Sequence, residues 1–98
     1  MNQVIEPFAA VLDRAIAVNG GANQTKLLCE ELAELQVAVL HLERGKVAVS
    51  DVASEIADVL IMIEQMKLIF KIDDAQVDRH TRLKLYRLEQ RLAAKEST

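Results

Sequence analysis

Two long stretches, residues 24–42 and 51–70, carry apolar side chains at alternating spacings of three and four, the pattern of a helix packed against another helix. On the first the stripe is Leu28, Leu32, Leu35, Val39 and Leu42, and on the second it is Val52, Ile56, Val59, Ile63, Met66 and Phe70. Turn signals separate these stretches from their neighbours, at Asn19-Gly20-Gly21 and at Gly45, and Lys71 and Ile72 lead to a cap at Asp73. The chain therefore reads as all-α, four helices joined by short turns. The first is predicted from Ile5 or Glu6, with Pro7 in its first turn and Phe8, Val11, Leu12, Ala15 and Ile16 at helical spacing. The second is capped by Asn23 and runs to Arg44, and the third is capped by Ser50 and runs from Asp51 to Phe70. The fourth starts at Asp73, with Gln76 completing a capping box, and ends near Ala94 before Lys95 to Thr98 fray.

Four acids sit where solvated charge is costly. Beside the stripe on the second helix runs a line displaced by roughly a quarter turn: Gln24, Leu27, Glu31, Glu34, Ala38 and His41. The third helix repeats it with Asp51, Glu55, Asp58, Met62, Gln65 and Ile69. Packed antiparallel, the two lines face each other and bring Glu31, Glu34, Glu55 and Asp58 into one pocket. Carboxylates so close cannot all stay ionised without a counter-ion, and oxygen-only ligation suits Mg²⁺, with Mn²⁺ as a substitute. Glu30 points away from the stripe and is assigned to solvent or a supporting role, Asp51 to the helix dipole, and His41 is left out of the ligand set. Met62 and Met66 read as core or subunit interface. Glu64, Lys67 and Lys71 read as the solvated face of the third helix.

The fourth helix supplies the opposite charge. Val77, Leu85, Leu88 and Leu92 form its apolar stripe, and His80, Lys84, Arg87 and Arg91 run alongside, placed to lean over a phosphate held near the acids. Arg79 and Arg82 read as a solvated basic face. Overall, 15 acidic against 12 basic residues give a net charge of −3, which offers no field for nucleic acid. The lone Cys29 excludes an internal disulfide and reads as a small packing residue. With no leader-like start and no apolar run of membrane length, the expectation is a soluble cytoplasmic protein without a membrane partner. The 98 residues form one domain, 1–98, with no repeat or linker. From Ile56 to Ile63 the third helix is apolar on more faces than one neighbour could cover, so a second copy is expected to complete the bundle.

Glu31-x-x-Glu34 within Lys26-Leu-Leu-Cys-Glu-Glu-Leu-Ala-Glu-Leu, followed by Glu55-Ile-Ala-Asp58-Val-Leu-Ile-Met, resembles the MazG-like branch of the all-α nucleoside triphosphate pyrophosphohydrolases, over residues 21–92. The resemblance implies a homodimer or dimer of dimers. It implies Mg²⁺ held by Glu31, Glu34, Glu55 and Asp58 and hydrolysis of nucleoside triphosphates, deoxy forms among them, between the α and β phosphates; Glu31 or Glu34 is the candidate base that deprotonates the attacking water. Gln24, Lys84 and Arg87 match substrate-binding positions of the family, while its aromatic near the start of the second helix has no counterpart in Gly20-Gly21-Ala22-Asn23. The rival readings are a non-catalytic interaction module with an acidic surface and a di-metal carboxylate oxidoreductase, the latter lacking nitrogen ligands at the matching positions.

Overall fold

The computed structural model describes residues 1–98. A 3-10 turn at Glu6–Phe8, which accommodates Pro7, leads into α1 (Ala9–Asn19), followed by α2 (Gly21–Glu43), α3 (Val49–Phe70) and α4 (Asp74–Glu96), with no strand. The all-α reading holds, and α1, α2 and α3 pack on one another. Apart from Asp74 at its start, which pairs with Lys67 of α3, α4 does not pack on the other three helices, and the molecule is correspondingly elongated, 54 × 38 × 24 Å.

Local chemistry sets each turn. Gly20 takes φ 87°, a conformation costly for other residues, so α1 ends and α2 begins across a single residue. The cap expected of Asn23 is not made, because Asn23 already lies in the first turn of α2. Its side-chain amide instead donates back to the Asn19 carbonyl at 2.7 Å. α2 stops as Gly45 adopts φ 68°, and the bonds from Gly45 N–H to the Leu42 carbonyl and from Lys46 N–H to the His41 carbonyl form a Schellman motif. α3 begins two residues before the predicted Asp51 and without a Ser50 cap. The Asp51 carboxylate reaches back to accept the Ala48 N–H at 2.8 Å and ties down the first turn. Asp73 caps α4 as expected, accepting the Gln76 N–H at 2.8 Å, and the helix continues through Lys95 and Glu96 rather than fraying at Ala94.

α2 and α3 run antiparallel: Gly21 meets Ile69, Gln24 meets Gln65, and Glu31 meets Glu55 as α2 advances and α3 recedes. The face that packs straddles the predicted stripe and the line beside it: Leu28, Leu35, Leu42 and Val52 of the stripe are partly covered and Val59 and Met66 are buried. Leu32 and Val39 are 45% and 41% exposed, whereas Gln24 is buried and Leu27, Glu31, Ala38 and His41 are partly covered. On α3, Val59, Met62, Gln65 and Met66 are buried, but Ile56, Ile63 and Phe70 are exposed. A hairpin buries one face of each helix, and at its open end a Cβ on Gly21 would stand in ordinary contact, 3.7 Å, with Ile69. Leu12 of α1 and Ile5 of the preceding segment complete the core. Ile56, Leu60, Ile61 and Ile63 remain open to solvent, which accounts for the surplus apolar surface noted in the sequence.

Two further expectations are corrected. Cys29 is exposed on the outer face of α2 rather than packed. Glu64 is not on a solvated face; it is buried, because residues 1–5 fold across α3 and the Asn2 N–H donates to Glu64 Oε1 at 3.4 Å. Lys67 compensates the buried carboxylate, donating to its two oxygens at 2.9 and 2.7 Å, and also pairs with Asp74 Oδ1 at 2.5 Å. The α-amino group of Met1 pairs with Asp74 as well. Bonds from Lys67 and then from that amino group hold the Asp74 pKa down to about 2. Partial burial opposes the charge on Lys67, but its bonds to Asp74 and Glu64 prevail and leave its pKa raised.

Lys71, at φ 56°, is the one non-glycine residue in the left-handed region, and it closes α3 as the Ile72 N–H bonds to the Lys67 carbonyl. Replacing it by glycine removes the Cβ clash at that position, so Lys71→Gly is expected to stabilise the fold by about 0.5–1 kcal/mol. A thermal melt of Lys71→Gly that falls below that of the parent contradicts this account.

Candidate functional site

The middle of the α2–α3 contact is acidic. Carboxylate oxygens of Glu31, Glu34 and Glu55 lie within 4.8 Å of one another, with Glu31 and Glu55 partly buried and Glu34 exposed. Helical spacing puts Glu31 and Glu34 one turn apart on α2, and the antiparallel register brings Glu55 of α3 opposite. Asp58, one turn beyond Glu55, is exposed and stands outside this tight group, yet its charge acts on both Glu31 and Glu55. One oxygen of Glu31 and one of Glu55 are buried without any hydrogen-bond partner. Such orphaned acceptors are costly, and a carboxylate can accept bonds or ligate but not donate.

The electrostatics follow from that placement. The Glu31 pKa is raised, first by desolvation and then by the charges of Glu34, Asp58 and Glu55, with Glu34 also within hydrogen-bonding reach. Desolvation again leads in raising Glu55, with Glu34 and Asp58 adding to it. No cationic side chain offsets these acids. An all-oxygen donor set with unpartnered buried oxygens fits a hard divalent cation such as Mg²⁺ or Mn²⁺, and Glu31, Glu34 and Glu55, with Asp58 adjacent, are the residues that could hold it.

Alongside the acids an open cleft of about 380 Å³ extends toward the α2–α3 turn, with Glu34, His41, Val47, Asp51 and Glu55 among its lining residues. His41 and Asp51 had been set aside in the sequence, and both border this cleft. The signal for His41 was its place on the same displaced line as Glu31 and Glu34. Asp51 is engaged by the Ala48 N–H, in keeping with its first-turn assignment.

The substrate-binding candidates are placed apart. Gln24 is buried, and its amide donates to Gln65 Oε1 at 2.6 Å, while the Gln65 amide contacts Met62 Sδ at 3.6 Å. Lys84 and Arg87 lie exposed on α4, which does not pack on its own chain, so they are not brought to the acids of the same molecule. No helix is long and apolar enough to cross a membrane. Comparisons with family models, curated proteins and solved structures return no match.

A carboxyl whose pKa is raised by folding holds its proton more tightly in the folded chain. The contribution of Glu31 and Glu55 is therefore intact below the ordinary value of 4.5 and lost as pH rises through their higher folded values. In a chelator, thermal stability is expected to decline over that interval, and Glu31→Gln with Glu55→Gln is expected to flatten the decline. Equal slopes for parent and double variant contradict the assignment. Separately, Gln24→Met leaves Gln65 Oε1 buried without its donor and is expected to cost about 1–3 kcal/mol in chemical denaturation.

Proposed function

We propose that this chain is a Mg²⁺-dependent nucleoside triphosphate pyrophosphohydrolase of the MazG-like type. Its products are a nucleoside monophosphate and pyrophosphate, its favoured substrates deoxynucleoside triphosphates, and its cellular task the clearing of the nucleotide pool. The observation that carries the proposal is the convergence of Glu31, Glu34 and Glu55 with two buried oxygens left unpartnered, on the residues that also carry the sequence resemblance.

Glu31, Glu34, Glu55 and Asp58 would hold the ion. When bound, it supplies neutralisation of the triphosphate charge and a water of lowered pKa. The rest falls to the side chains. Glu31 or Glu34 takes the proton of the attacking water on a carboxylate oxygen; Glu31 is suited to it by a pKa that desolvation and its acidic neighbours raise. Partial burial of Glu31 and Glu55 keeps bulk water from screening the charges they face. Arg87 and Lys84 carry the charge needed to steady the departing pyrophosphate, and they reach it only from another copy of the chain. Association into a dimer or dimer of dimers also covers the open apolar face of Leu32, Val39, Ile56, Leu60 and Ile63.

Incubation with each nucleoside triphosphate and Mg²⁺, scored for both monophosphate and pyrophosphate, tests the proposal. Glu31→Gln and Asp58→Asn are each expected to lower the rate by on the order of 10²-fold or more. Mg²⁺ is expected to raise the melting temperature of the parent and not of a chain carrying both substitutions. Absence of pyrophosphate with every nucleotide, together with a melting temperature indifferent to Mg²⁺, leaves the acids as a surface for a basic partner instead.

A further inference from the structure

Beyond Asp74 at its start, α4 packs on nothing in its own chain, and every residue from Asp74 to Glu96 is exposed. Successive residues turn by roughly 100°, so His80, Lys84, Arg87, Arg91 and Lys95 fall within one arc of about 80° and form a line about 22 Å long. Lys84, Arg87, Gln90 and Arg91 border a single hollow with no apolar side chain on its rim. The acids lie elsewhere. Asp78, Glu89 and Glu96 are turned away from the middle of the line by roughly 140° or more, on the side that also carries Arg82, and Arg79 stands between the two sides. Asp73 heads the basic line, but its carboxylate accepts the Gln76 N–H, and Asp74 is held by Lys67 and the Met1 amino group. No basic side chain of α4 makes an ion pair within the chain.

Consecutive members of the line are three or four residues apart, so each is a like-charge neighbour of the next and weakens the helix unless an anion lies along them. The far-side acids relieve this little, because a helix with its side chains is about as wide as the distance over which salt screens charge. A triphosphate is too short to serve the whole line. Three linked phosphates reach little more than one helical turn, which Lys84 and Arg87 already span, whereas Arg91 and Lys95 continue one and two turns farther. The fitting ligand is an extended polyanion. A single nucleic-acid strand would also need rings for its bases to stack on. The line offers only the imidazole of His80, and Tyr86, the one aromatic of α4, lies about 140° away. A chain of linked phosphates carries charge on every unit and asks for nothing else.

We propose that the basic face of α4, from His80 to Lys95, binds a linear polyphosphate chain longer than a triphosphate, laid along the helix. This goes beyond the hydrolase proposal and does not depend on it, since neither a metal ion nor the acids of α2 and α3 take part. Each exposed contact is weak, but a chain that engages several at once gains from their linkage.

The test titrates inorganic polyphosphate, as long chains and as tripolyphosphate, into the full-length protein in a chelator by isothermal calorimetry. The long chain is expected to bind with an affinity that falls as salt rises, and tripolyphosphate to bind more weakly by on the order of 10-fold. Arg91→Gln with Lys95→Gln is expected to weaken the long chain about 5- to 20-fold, the worth of two exposed charge contacts. Arg79→Gln with Arg82→Gln removes the same net charge from outside the line and is expected to change the affinity by less than about twofold. No binding of the long chain, equal losses from the two variants, tripolyphosphate binding as tightly as the long chain, or a higher affinity for oligothymidylate of matched charge overturns the proposal. None of these readouts involves hydrolysis, so the hydrolase reading stands or falls separately.

Discussion

The antiparallel contact of α2 with α3 is the interaction on which the rest of the molecule rests, and much of it is polar. At one end Gln24 and Gln65 bury two amides and satisfy them against each other. Farther along, Glu31 and Glu55 bury oxygens that nothing satisfies. Val59, Met62 and Met66 supply the apolar contact between and around them. A hairpin that places amides and acids inward while Leu32, Val39, Ile56 and Ile63 face outward inverts the usual economy of a small helical domain. Its stability as a single chain comes from a thin core that α1 and the N-terminal segment help to close.

Two charge clusters on α3 show how differently burial can be met. Glu64 is deeply buried, yet Lys67 donates to both of its oxygens and links them to Asp74 at the start of α4. That cluster is internally balanced and structural, and it fixes the corner at which α4 leaves the body. Glu31, Glu34 and Glu55 have no cation within the chain, and desolvation, with the charges of their acidic neighbours added, raises the pKa values of Glu31 and Glu55. Proteins rarely retain such imbalance unless something else neutralises it, which is the physical ground for giving these acids a chemical role.

The helices themselves were legible because their signals are local. Gly20, Gly45 and Asp73 act within a turn or two of where they stand, and each marks a boundary in the structure as it does in the sequence. The meeting of Glu31 with Glu55 was legible too, since helical spacing and an antiparallel turn suffice to bring those lines together. Which face would be buried was legible only in part, for Val59 and Met66 of the predicted stripe are buried while Leu32, Val39, Ile56 and Ile63 are not. Both α2 and α3 carry two stripes about a quarter turn apart, and choosing between them depends on packing distance and on what α1 covers, neither of which periodicity encodes. Glu64 was misread for the same reason: its spacing from Lys67 is that of a surface pair, and only the distant Asn2 segment makes it interior. The isolation of α4 is likewise a property of tertiary structure, invisible in a helix whose pattern looks ready to pack.

The tight turn at Gly45 sets the terms on which the acids meet. Because only a few residues separate α2 from α3, closing that loop costs little entropy. The repelling carboxylates meet whenever that hairpin closes. Cations that relieve that repulsion therefore favour the closed hairpin, and with it the helical body built on the hairpin.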